Sequence, residues 1–256
     1  MAQDYPLTPA HRLQLAAAFR SCPRVDTAIE CAIEGQLGRA FVDDVQHPTA
    51  YAITVGPFWY FAGDPASAGG AALMRGLPAY ALLMPSTIGW HERAQAEFGA
   101  GLRSHQRFSF DTDQLAVAPL EALLARSRHN EQVLGLDPTL IGPLTSGADA
   151  LLDVSDFESV ADFLERSFGY TLLLGGTPAG IAYGSLVNSR GLEVSVFIAE
   201  PYRRQGIATA LAGRLVLECL RRGLRPNWDA ANPESCALAE KLGFTPAGSY
   251  VASHQV

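Results

Sequence analysis

The sequence predicts an α/β protein built from two successive halves, and three observations carry that prediction. In the C-terminal half, runs with strand patterning alternate with helical spacings, each closed by Gly or Pro. The N-terminal half echoes part of the same order. Hydrophobic residues make up 48% of 256 positions and charged ones 18%, which is enough apolar material for a full core while leaving the domain count open.

In the first half, residues 52–74, "AITVGPFWYFAGDPASAGGAALM", read as a strand, an acid-plus-proline turn and a helix start made of small residues. Phe58, Trp59, Tyr60 and Phe61 make this strand fully aromatic, and with Trp90 they are expected in a core or a domain contact. Residues 75–99, "RGLPAYALLMPSTIGWHERAQAEFG", continue with a helix exit at Arg-Gly-Leu, a short strand near proline and a helix ending at Gly99. The same succession recurs in 193–212, "EVSVFIAEPYRRQGIATALA", and 222–243, "RGLRPNWDAANPESCALAEKLG", so the chain reads as a decayed internal repeat. The break is expected within 127–149, giving domains 1–128 and 129–256.

In the second half, "SDFESVADFLERSFG" carries Phe157, Val160, Phe163, Leu164 and Phe168 at helical spacing. Ser155 and Glu158 supply a capping signature, with Gly169 to stop the helix. "YTLLLGG" and "AGIAYGSLVNSRG" are strands around a Gly-Gly-Thr-Pro turn, and "LEVSVFIAE" is a further, largely apolar strand. A long helix follows, with Ile207, Leu211, Leu215, Cys219 and Leu220 on one face, ended by Gly223 and Pro226. "PNWDAA" is a short strand, "NPESCALAEKLG" a helix with Asn232 as N-cap and Pro233 at its first position, and "FTPAGSYVASHQV" the closing strand.

The stretch Arg203-Arg204-Gln205-Gly206-Ile207-Ala208-Thr209 opens the long helix. A helix start leaves about four backbone N–H groups without partners inside the helix and carries roughly half a positive charge. Gly206 lets a ligand approach the backbone, Ala208 keeps the next turn low, and Arg203 and Arg204 can bond phosphate oxygens. These parts make a pyrophosphate cradle. On the short motif alone, an exposed helix start with solvated arginines is the alternative.

The order of "VFIAE", the R-x-x-G-x-A cradle, an amphipathic helix, a strand and "NPESCALAEKLGF" resembles the GNAT superfamily of acyl-CoA-dependent N-acyltransferases over residues 131–256. With "VDDVQHPTA" and "FWYFAG" upstream, the chain looks like a bacterial two-part GNAT acetyltransferase family. The resemblance implies a C-terminal GNAT fold, a splayed mixed sheet flanked by helices, preceded by a divergent GNAT-like α/β half. It implies acetyl-CoA as cosubstrate, with residues 203–209 on the pyrophosphate and Val196, Phe197 and Ile198 pairing with the pantetheine amides. Asn232 would contact pantetheine or cap its helix. Glu193 stands where several GNAT enzymes carry a general base, the alternative being a solvated strand-end carboxylate. An N–H near Phe197 or Ile198 would serve the oxyanion.

The position where this superfamily often carries a tyrosine to protonate the thiolate falls at Ala239, so that role is vacant, moved to Ser235 or Tyr250, or filled by water. In the first half Ser67 stands where Arg203 would be, so only the second half should bind acetyl-CoA well. The expected reaction is acetyl transfer to a primary amine of a small molecule, with the first half walling the acceptor pocket. An acyl-CoA-binding sensor and a protein N-acetyltransferase are the alternatives.

Other classes are disfavoured. Net charge is −7, which offers no general attraction for nucleic acid. No apolar run is long enough to cross a bilayer, and the N-terminus does not read as a signal peptide, so a cytoplasmic protein is expected. Cys22, Cys31, Cys219 and Cys236 lack metal-ligand spacing, the six histidines are scattered, and no metal is proposed. Asp229, beside Trp228, is expected in a turn or a polar network rather than in catalysis. Lys241 is the one lysine.

Overall fold

The computed structural model describes residues 2–22, 26–145 and 150–256. Positions 146–149 of the expected inter-half segment lie outside that description. By contacts the chain divides into unit 1, Met1–Arg107 with Tyr250–Val256, and unit 2, Phe108–Ser249.

Unit 1 contains, in order, β1 (Gln3–Asp4), α1 (Pro9–Phe19), α2 (Thr27–Glu34), β2 (Arg39–Val42), β3 (Ala50–Val55), β4 (Phe58–Gly63), α3 (Ala68–Arg75), β5 (Leu82–Met84), α4 (Ile88–Phe98) and the first part of β6 (Leu102–Asp111). Strands β2, β3 and β4 form an antiparallel meander, and β4 pairs with β5 in parallel through α3. The segment expected as one strand over residues 52–63 is therefore a hairpin turning at Gly56-Pro57. The aromatic run is core: Phe61 and Trp90 are about 1% exposed and their rings stack with centroids 5.2 Å apart. Each such ring buries roughly 150–250 Å², about 4–6 kcal/mol at about 25 cal/mol/Å².

Unit 2 contains α5 (Val117–Ala125), β7 (Val133–Gly135), α6 (Pro138–Thr145), α7 (Val160–Arg166), β8 (Gly169–Leu174), β9 (Thr177–Val187), β10 (Gly191–Ile198), α8 (Ile207–Arg221), β11 (Arg225–Asn227), β12 (Asp229–Ala230), α9 (Pro233–Leu242) and the start of β13 (Thr245–Gln255). Its five-stranded sheet has the order β11-β10-β9-β8-β7, with every pair antiparallel except β10 and β11. Helix α8 is buried around most of its girth, not along one stripe. Gly213 makes this possible: a Cβ there would sit 3.0 Å from a Leu124 methyl of α5 and 3.4 Å from one of Leu242 of α9.

Two local expectations are corrected. The cap of α7 is Ser159, whose hydroxyl accepts from Asp162 N–H at 3.1 Å, while Asp162 reaches back to Glu158 N–H at 3.0 Å. Ser155 lies a turn earlier because Asp153 holds its N–H at 2.9 Å in a turn of its own, and Gly169 opens β8 instead of stopping the helix. The single strand expected at "PNWDAA" is two: β11 pairs with β10, and past Trp228 the chain pairs through β12 with Phe108 and Ser109 of β6.

Candidate active site

The site begins where two parallel strands part. Gly191, Leu192 and Glu193 of β10 are in register with Arg225, Pro226 and Asn227 of β11. A Cβ on Gly191 would stand 2.0 Å from the Arg225 carbonyl, so glycine sets how closely the strands start. β12 then leaves for β6, and among the described residues the rest of β10 is in register with β9 on one side only: Val196 with Ala182, Phe197 with Ile181, Ile198 with Gly180. The expected splay is present, and it leaves a strand edge able to pair with an extended ligand.

Glu193 sits at the point of divergence. Its Oε2 accepts from Asn227 Nδ2, and Oε1 accepts from the Asp229 N–H at 3.2 Å. The bond from Asp229 comes from its backbone N–H. A bulge marks the same place: Leu192 pairs with Val187 but Val194 with Gly184, so Ser185 and Leu186 of β9 stand opposite Glu193 alone. Bulges turn side chains off the regular pleat and recur beside active sites.

From Ile198 the chain enters the cradle. Arg203 Nε donates to the Ile198 carbonyl at 3.1 Å, holding the loop against the strand end. Arg204 has φ +59° and Gly206 φ +85°, left-handed conformations that suit glycine at the second position. A Cβ on Gly206 would meet nothing within 4 Å. Helix α8 then starts with no side-chain cap and no acidic residue in its first turn. Helix α5 likewise starts without a side-chain cap, whereas α9 is capped: Asn232 Oδ1 accepts from Ser235 N–H at 2.9 Å. Of the two roles considered for Asn232, helix capping is the one visible.

Four contacts surround the cradle, and all but the local one from Gln205 to Pro201 join residues remote in sequence, so nothing local signals them. The Gln205 carbonyl accepts from Arg128 Nη2 at 3.2 Å and lies 3.1 Å from Nε2 of the buried His129. Gln205 Nε2 donates to the Pro201 carbonyl at 3.2 Å. Lys241 Nζ donates to Thr209 Oγ1 at 3.2 Å, placing the single lysine against the first turn of α8.

The candidate acids separate. Ser235 Oγ accepts from Trp228 Nε1 at 3.1 Å at the start of α9. Tyr250 is on β13 in the part that belongs to unit 1. Ala239 is fully buried, so its position in α9 has no room for a tyrosine ring without repacking.

A cavity of about 580 Å³ is lined by Leu151, Asp153, Tyr183, Ser195, Val196 and Phe197 among others. Phe197 is 45% exposed beside it. Burial pushes the Tyr183 hydroxyl pKa up, as do the Asp153 and Asp156 charges, partly offset by a bond from the Asp153 backbone. Among the described residues no helix is long and apolar enough to cross a membrane, and no group of three or more His, Cys, Asp or Glu could hold a metal ion.

The start of α3 in unit 1 is closed. Ser67 Oγ caps α3 by accepting from Gly70 N–H at 2.9 Å. The Asp43 carboxylate covers the first turn, where a Cβ on Gly69 would fall 1.9 Å from its Oδ2. Burial alone would raise the Asp43 pKa, but bonds from Thr49 and Ala50 outweigh it and hold the carboxyl below its ordinary range.

Parting parallel strands followed by an uncapped glycine-started helix define a GNAT-type acyltransferase fold. A GCN5-related N-acetyltransferase-like protein of Streptococcus suis superposes with a TM-score of 0.85 at 28% identity, covering 97% of this chain and 100% of that one. A tandem GNAT protein from the clavulanic acid biosynthesis pathway shares the fold at a TM-score of 0.60 and 14% identity, covering 100% of this chain and 98% of that one. The family model described as GNAT acetyltransferase matches residues 18–253, and the chain belongs to that family of acyltransferase enzymes.

Among curated proteins, an uncharacterized N-acetyltransferase of Bacillus subtilis, YdfB, is 31% identical over 96 residues, 37% of each chain. The ribosomal protein bS18-alanine N-acetyltransferase of Escherichia coli is 31% identical over 86 residues, 32% of this chain and 58% of that one. The matches thus span less than two thirds of either curated relative.

Proposed function

We propose that the chain transfers an acetyl group from acetyl-CoA to a primary amine of a small molecule. The observation that carries this reading is the uncapped start of α8, with Gly206 at φ +85° over open space, directly after the unpaired edge of β10. Backbone N–H groups of residues 206–209 would receive the pyrophosphate, with Arg203, Arg204 and Lys241 supplying positive charge around it. The pantetheine amides would pair along Val196–Ile198 as an added strand. The cavity beside Ser195 and Phe197, bearing the Asp153 carboxylate, suits a cationic amine with an apolar body.

In the reaction, the neutral amine nitrogen attacks the thioester carbonyl carbon. An N–H of Phe197 or Ile198 holds the oxygen that becomes negative, and collapse releases coenzyme A thiolate. Glu193 takes the amine proton, directly or through water, from a carboxylate oriented by Asn227 and Asp229. Ser235, whose oxygen is engaged by Trp228, can turn its O–H toward the thiolate, and Tyr250 is the second donor to test.

A protein N-terminus is the second acceptor reading, favoured by the Escherichia coli relative's stated action on a ribosomal protein. The buried Ala239 favours a third, an acyl-CoA sensor without turnover. One assay separates them: thiol release from acetyl-CoA with a panel of small primary amines and of short peptides. Release with amines supports the proposal, release with peptides alone replaces it by the second reading, and binding without release replaces it by the third.

A further inference from the structure

We propose that Arg128 and His129 are positioning residues for the cradle, fixing the peptide between Gln205 and Gly206 so that the Gly206 N–H faces the ligand. The inference rests on the acetyl-CoA reading of that site.

In a planar trans peptide the C=O and N–H point in opposite directions, so whatever holds the Gln205 oxygen aims the Gly206 amide. Among the described residues no peptide is cis. The Gln205 oxygen accepts from Arg128 Nη2 at 3.2 Å, and Arg128 Nε donates to His129 Nε2 at 3.1 Å. One guanidinium edge thus spans two acceptors that lie 3.1 Å from each other. His129 Nδ1 lies 3.1 Å from Gln132 Oε1. A neutral ring carrying its proton on Nδ1 satisfies this whole set: Nδ1–H donates to Gln132, Nε2 accepts from Arg128, and Arg128 holds the carbonyl.

The relay is anchored on the helix it serves. Arg214, in the second turn of α8, donates through Nη2 to Asn130 Oδ1 at 2.9 Å. His129 is 7% exposed, which keeps water from competing for the ring. The turn at 127–132 therefore touches α8 at its first loop and again along its length. With the carbonyl pinned behind, the Gly206 N–H projects to the front, where α8 begins.

The test compares Arg128→Met, Arg128→Lys, His129→Phe and His129→Gln with wild type, using acetyl-CoA and whichever acceptor gives thiol release. Arg128→Met and His129→Phe should raise Kd and KM for acetyl-CoA about tenfold, equivalent to about 1.4 kcal/mol, with kcat within about twofold. His129→Gln keeps an acceptor and a donor and should restore most of the affinity; Arg128→Lys loses the guanidinium edge and should not. Nitrogen-15 NMR of the wild-type ring should show Nε2 unprotonated, a readout that needs no variant to fold. A protonated Nε2 overturns the relay, as do unchanged acetyl-CoA constants in Arg128→Met when Gly206→Asp loses binding. Failure of wild type itself to bind acetyl-CoA defeats the coenzyme reading and this inference with it.

Discussion

Replacing Gly206 by aspartate should move stability and coenzyme affinity independently. The residue has φ +85°, which costs an ordinary L-residue about 1–2 kcal/mol, with Asp among the more tolerant types. A Cβ there meets nothing within 4 Å, so no steric cost is added. The new carboxylate would stand at a helix start that has neither a side-chain cap nor an acidic first turn, and such a charge contributes about 0.3–1 kcal/mol in its favour. The gain offsets part of the cost, and folding stability should fall by no more than about 2 kcal/mol. Binding has no such compensation. A carboxylate about 5 Å from a phosphate charge, at an effective dielectric constant of about 20, is repelled by about 3 kcal/mol. That is more than about a hundredfold in Kd. Calorimetric titration with acetyl-CoA at low salt, alongside a thermal melt, reads both quantities. A variant that melts like wild type and still binds within about twofold would refute the cradle.

Other outcomes follow from the same geometry. Glu193→Gln should depress kcat/KM most at low pH, where the amine most needs a base; a pH–rate profile parallel to wild type removes Glu193 from that role. Gly191→Ala places a Cβ 2.0 Å from the Arg225 carbonyl, and urea unfolding should show a loss of about 1–3 kcal/mol or more; an unchanged midpoint would mean that β10 and β11 separate freely. Burial pushes the Cys219 thiol from near 9 up to about 12, so a thiol reagent at pH 8 should label it only on unfolding. Because the folded form keeps its proton longer, stability from this group is complete below pH 9 and lost between about pH 9 and pH 12; labelling in the native state would contradict the burial.

What the sequence disclosed is what local chemistry decides. Asn232-Pro233 starts α9 and Gly243, at φ +102°, ends it, because cap and exit depend on residues within one turn. The glycine-started α8 was legible for the same reason. The cap of α7 was misplaced because Ser155-x-x-Glu158 and Ser159-x-x-Asp162 both fit the pattern, and Asp153 drew Ser155 into a different turn. The break at Trp228 was hidden because β11 and β12 differ only in their partners, β10 and β6. His129 and Arg128 lie 76 and 77 residues from the carbonyl they hold or approach, and Asn227 lies 34 from Glu193. Nothing local in the sequence marks such pairs.

The closed start of α3 bears on how the protein should be counted in solution. Ser67 and Asp43 supply that helix from within the chain with the hydrogen-bond acceptor and the negative charge that α8, on the proposed reading, takes from acetyl-CoA. One frame therefore comes already neutralised and the other does not. A concentration measured by acetyl-CoA titration would then equal the concentration of chains, at one equivalent each, despite the doubled architecture.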